Sequence, residues 1–99
     1  MATYIMFFGF TEHGVKNIKE SPKRVEAAKQ SFRAMGVEVK TFYAVMGMRQ
    51  YDTMFVVEAP NDETVAKAAL SIGSLGYVHT DTHRAFTENE YQKMIGGLP

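Results

Sequence analysis

A chain of 99 residues with 45% hydrophobic, 12% aromatic and 22% charged side chains has the make-up of one small globular domain, residues 1–99, with a single core. Eleven basic side chains balance eleven acidic ones, so no overall field gathers nucleic acid or an anionic membrane, and the absence of cysteine excludes disulfides, thiolate metal sites and a cysteine nucleophile. No apolar run approaches the roughly 20 residues that cross a bilayer and no basic, apolar leader opens the chain, so a cytoplasmic protein is expected.

Thr3 to Phe10 is an almost continuous apolar run of strand length and suits a central strand buried on both faces. Thr11 offers a helix cap, Gly14 weakens the turn that follows, and Val15 to Glu20 is read as one or two helical turns. A firmer helix starts with Ser21 as cap and Pro22 at the first helical position, where its missing N–H costs nothing. Val25, Ala28, Phe32 and Met35 recur along it at three- and four-residue spacing until Gly36. Lys16, Lys19, Lys23 and Arg24 form a basic shoulder read as a solvated face. Val37 to Met46 sets Val37, Val39, Thr41, Tyr43 and Val45 on one parity and Glu38, Lys40, Phe42, Ala44 and Met46 on the other, alternating apolar with charged residues in its first half, which marks a second strand at a sheet edge.

Gly47 opens a turn that ends in Tyr51 and Asp52. Thr53 to Ala59 is a third strand, again apolar on both parities and therefore central. Pro60 ends it, Asn61 or Asp62 caps a second helix, and Val65, Ala68, Ala69 and Ile72 give that helix a narrow face of small residues. After the break at Gly73-Ser74-Leu75-Gly76, Tyr77 to Phe86 forms the most polar strand, a second edge. Thr87 and Glu90 have capping-box spacing, so a short C-terminal helix is expected to carry Tyr91, Met94 and Ile95 inward until Gly96-Gly97 stops it.

The second half repeats the first, down to Phe10-Thr11-Glu12 and Phe86-Thr87-Glu88 at the ends of the outer strands. Two split βαβ units give a ferredoxin-like α+β fold, βαββαβ, with a four-stranded antiparallel sheet and both helices on one face. The bare face is then hydrophobic, and a homodimer that sets two such sheets face to face, enclosing a space, is expected.

The chain resembles the GYD-domain family of small prokaryotic proteins. The likeness rests on Thr3-Tyr4-Ile5, Thr11 with Gly14, Ser21-Pro22-Lys23-Arg24, Gly47 with Tyr51-Asp52, Val57-Glu58-Ala59-Pro60, Thr80-Asp81-Thr82 and Arg84-Ala85-Phe86-Thr87. It implies a dimeric α+β barrel and brings no agreed biochemical function. Two departures stand out. Met48-Arg49-Gln50 lengthens the turn between Gly47 and Tyr51, and His83 stands where the family commonly has an aliphatic residue.

The candidate ligand-binding residues are Tyr51, Asp52, Glu58, Thr82, His83 and Arg84. Turn chemistry gives Tyr51 and Asp52 a structural role first: the ring packs, and the carboxylate accepts backbone N–H bonds. A functional role would set them at a cavity mouth as donor and base. Arg84 is expected to reach toward Glu58, either inside a cavity or as a rim ion pair. His79, Asp81 and His83 alternate along one strand, yet His79 and His83 stand roughly 13 Å apart at about 3.3 Å per residue, too far for one metal ion. No phosphate loop, Ser-His-Asp order or other cofactor signature appears, so neither cofactor nor metal is expected. Three functions fit: binding of a small, largely apolar molecule in a homodimeric barrel, a cofactor-free oxygenase or isomerase acting on a small aromatic substrate, or an oligomerisation scaffold.

Overall fold

A computed structural model describes residues 1–99. The apolar run at the start of the chain becomes β1 (Ala2–Phe10), which is followed by a short helix α1 (Glu12–Lys16) and a 3₁₀ turn (Ile18–Glu20). Next come α2 (Ser21–Ala34), β2 (Glu38–Ala44), β3 (Thr53–Ala59), α3 (Asp62–Gly73), β4 (Val78–Ala85) and α4 (Glu88–Gly96). The strands form one antiparallel sheet in the order β2-β3-β1-β4. The strands that are apolar on both parities thus lie in the middle and the polar ones at the edges, the arrangement of a ferredoxin-like α+β domain.

Register sorts the side chains onto two faces. Tyr4 pairs with Val57 and Met6 with Phe55, while Phe8 follows on the same parity; these residues meet Ala28 and Phe32 of α2 and Val65 and Ala68 of α3 in the core. Phe55 is the hub, with ring centroids 5.0 Å from Phe8, 5.8 Å from Phe32 and 5.9 Å from Phe42. Burying an aromatic or branched side chain contributes about 1.5–3 kcal/mol, so this cluster supplies much of what drives folding. On the other face Ile5 pairs with Val56 and Phe7 with Met54, and none of the four is fully buried.

Local chemistry sets the element ends. Asn61 accepts the Thr64 N–H at 2.9 Å, and Thr87 and Glu90 exchange both bonds of a capping box. Gly36 and Gly47 hold φ of 88° and 92°, which lets α2 stop and the β2–β3 turn open. Three expectations differ. Ser21 is the first residue of α2 rather than its cap; Glu20 stands at the cap position and gives no side-chain bond. An irregularity between Val39 and Thr41 moves Thr41 and Tyr43 to the open face and Phe42 to the core. Tyr91, Met94 and Ile95 do not turn inward: they stay 57%, 49% and 48% exposed, and α4 has no buried residue.

At Gly9 three segments meet. A Cβ there would collide with the Gln50 carbonyl oxygen and with the His79 ring. This close approach lets the β2–β3 tip fold across β1, where the Asp52 N–H donates to the Phe8 carbonyl at 2.8 Å. Gly9→Ala is expected to destabilise the chain by about 1–3 kcal/mol in urea unfolding, since the Gln50 backbone would have to shift. Gly73→Ala, at the end of α3 with open space where its Cβ would lie, should leave stability unchanged or slightly raised.

Candidate functional site

The open face carries a cluster of aromatic and titratable groups over β1 and β4. Tyr51 lies back across the sheet, with its ring centroid 5.8 Å from Phe7 and 5.5 Å from His79. His83 approaches Phe7 edge-on at 5.8 Å, and its Nε2 lies 3.1 Å from the Asp81 carboxylate. Partial withdrawal from water, together with the neighbouring Asp81 carboxylate, pushes the Tyr51 phenol above its ordinary range. No three His, Asp or Glu side chains converge on a point that would hold a metal ion.

Asp52 is a structural residue. Its carboxylate accepts the Phe10 N–H at 2.9 Å and its carbonyl accepts the Val45 N–H at 2.8 Å, which fastens the turn to the end of β1. Glu58 lies at the far end of the open face, where it pairs with Thr3 and Glu38. The expected reach of Arg84 toward Glu58 is not realised. Arg84 pairs with Tyr4 and Glu58 with Thr3, and neighbouring residues of one strand point to opposite faces. The Arg84 guanidinium instead lies 4.4 Å from the Phe86 ring, ion-pairs with Glu90 at 3.7 Å and donates to the Thr3 carbonyl at 3.1 Å. Thr82 shares its face and leaves a buried hydroxyl without a partner in a groove of about 460 Å³ beside α3. In the same groove the Tyr4 hydroxyl donates to Asp62 at 2.5 Å; burial first, then that bond, holds the Tyr4 phenol above its ordinary range. The six candidates therefore do not form one site: Tyr51 and His83 share the open-face cluster, Asp52 and Glu58 are apart, and Thr82 and Arg84 lie on the helix side.

The larger cavity also lies on the helix side. It occupies about 590 Å³ between α2, the end of α3 and the sheet, with Phe8, Phe32, Phe42 and Phe55 in its walls and Asn17, Glu20, Lys23 and Arg24 at its polar part. None of the six candidates lines it. The basic shoulder concealed this site, because Arg24 is not solvated like its neighbours. Its guanidinium lies over the Tyr77 ring at 4.3 Å, which in turn stacks on His13 at 4.6 Å. The available signal was a run of small residues: Ala27, Ala28 and Ser31 on α2 and Ser71 on α3 line the cavity and are too short to fill the gap between the helices.

A four-stranded antiparallel sheet with its helices on one face, an uncovered apolar face opposite, and a side-chain-lined space under the helices define a ferredoxin-like α+β domain. The chain belongs to the GYD-domain family, whose model matches residues 4–95. It is 38% identical over 86 residues to the glutamine synthetase and cystathionine beta-lyase binding protein of Thermus thermophilus, across 86% of this chain and 88% of that protein. The crystal structure of TTHA0845, also from Thermus thermophilus, shares the fold, with a TM-score of 0.56 at 24% identity over 88% of this chain and 95% of that one. No helix is long and apolar enough to cross a membrane.

Both shifted phenols are raised, so the stability they contribute is fully present below their ordinary value of 10.0 and is lost as pH rises through the raised values. Urea unfolding from about pH 9 to pH 11 should show the parent chain losing stability more steeply than a Tyr4→Phe, Tyr51→Phe double variant. Parallel declines would remove the two phenols as the source.

Proposed function

We propose that this chain is a binding protein that works as a homodimer, sheet face to sheet face, and docks on larger metabolic enzymes. The observation that carries the reading is the uncovered face of the sheet. Ile5, Phe7, Met54 and Val56 form its apolar centre, Tyr43 is 61% exposed beside them, and Glu38, Glu58, Asp81 and His83 stand toward the margins. An apolar centre within a polar rim is the anatomy of a protein interface, and one patch facing its own copy closes a two-fold dimer. The likeness to a Thermus protein named for binding glutamine synthetase and cystathionine beta-lyase supports enzymes as the further partners.

A second reading, the binding of a small and largely apolar molecule, is favoured by the helix-side cavity. Its volume falls in the ordinary range for small-ligand sites, about 300–1,000 Å³. The titratable candidates Tyr51, Glu58 and His83 lie across the sheet from it, which favours binding over turnover there.

Sedimentation velocity should find the parent chain at twice its 11.1 kDa mass. Val56→Lys, which adds a charge to the centre of the open face, should sediment as a monomer with unchanged circular dichroism. A monomeric parent, or a dimer that tolerates Val56→Lys, overturns the sheet-to-sheet arrangement. Co-sedimentation with purified glutamine synthetase from the same host tests the enzyme partner; a mixture that sediments as two independent species counts against it.

A further inference from the structure

The helix-side cavity holds a charge that the fold leaves unanswered. The Arg24 guanidinium is fixed on two sides, by the Tyr77 ring and by the bond from Nη1 to the Asn17 carbonyl at 2.9 Å. Its Nη2 is buried without any acceptor. An unpaired buried donor costs about 1–3 kcal/mol, and more when it belongs to an ion, so such a group in a native fold calls for a partner. The chain offers none. The adjacent Lys23 is ion-paired with Glu20 at 3.5 Å, and no carboxylate lies within ion-pair distance of Arg24. Lys23, Arg24 and Glu20 together leave one net positive charge at this end of the cavity.

The rest of the cavity is apolar. Phe8, Phe32 and Phe42 surround Phe55, and all three meet it edge-on. Such an arrangement receives a flat apolar body against ring faces and edges. We propose that this cavity binds a small monocarboxylate with an aromatic or similarly flat apolar body, the carboxylate drawing the Arg24 guanidinium to turn in its plane on Tyr77 so that Nη2 leaves its buried position and donates to it, and the body lying against Phe42. This assignment rests on the small-molecule reading of the cavity. A single net charge matches a monoanion; a phosphate monoester would bring a second negative charge toward Glu20.

The probes are 2-naphthoate and its neutral counterpart 2-naphthamide, titrated by calorimetry against the full chain, Arg24→Gln, Arg24→Lys and Ile72→Trp. The parent chain is expected to bind the naphthoate at least about tenfold more tightly than the naphthamide, the scale of one charge-assisted hydrogen bond. Arg24→Gln should remove that preference while still binding the naphthamide, and Arg24→Lys should keep part of it. Ile72→Trp, which fills the cavity from α3, should weaken both probes, with circular dichroism confirming that each variant folds. If both probes bind the parent chain equally, or if Arg24→Gln keeps the preference, the carboxylate assignment falls while the cavity remains a ligand site. If neither probe binds, or Ile72→Trp weakens neither, the small-molecule reading of the cavity falls with it.

Discussion

Two helices can cover only one face of a four-stranded sheet, and in this chain both faces are apolar. β1 and β3 occupy the middle of the sheet, so alternate residues of each project to opposite sides. Tyr4, Met6, Phe8, Phe55 and Val57 are met by α2 and α3; Ile5, Phe7, Met54 and Val56 are met by no helix. Extra layers would have required a longer chain. The hydrophobic effect therefore leaves a surface that an isolated copy cannot remove from water, and α4 repeats the problem on a smaller scale with Tyr91, Met94 and Ile95.

The covered side is incompletely filled. α2 and α3 reach the sheet through Phe32, Ala28, Val65 and Ala68, but between the helices the facing residues are short, and a space of about 590 Å³ remains beneath them. Its polar end is built with little freedom. His13, Tyr77 and Arg24 stack in sequence, and α1 is drawn against the start of β4 by the Thr11 hydroxyl on the Gly76 carbonyl and by Gly14, whose missing Cβ admits the Tyr77 carbonyl. The glycine that weakens α1 as a helix is thus what allows α1 to hold this end of the cavity.

Much of the fold was legible because its signals are local. The two-sided apolar runs, Asn61 and Thr87 as caps, and the positive φ at Gly36 and Gly47 each follow from one short stretch of chain. The site was less legible because it depends on register and on neighbours distant in sequence. Arg84 and Glu58 looked able to meet until the pairing of Tyr4 and Thr3 set them on opposite faces. Arg24 resembled its solvated neighbours because Tyr77, more than fifty positions away, gives it a ring to lie on. The phase change in β2 was hidden as well, since Val39, Thr41 and Tyr43 keep a regular alternation in the text and only the extra residue at Lys40 divides them between faces.

That extra residue also bears on the exposed edge of the sheet. β2 is an outer strand, and its unpaired backbone edge could template further strands without limit. A local break in the ladder twists the edge at the point where an incoming strand would need an even row of donors and acceptors. Lys40 sits at the break, its ammonium held by Glu38 at 3.2 Å, and adds a charge to the same stretch. Fibre-like growth along the hydrogen-bonding direction is thereby discouraged, while contact through the flat of the sheet, which closes after two copies, stays open.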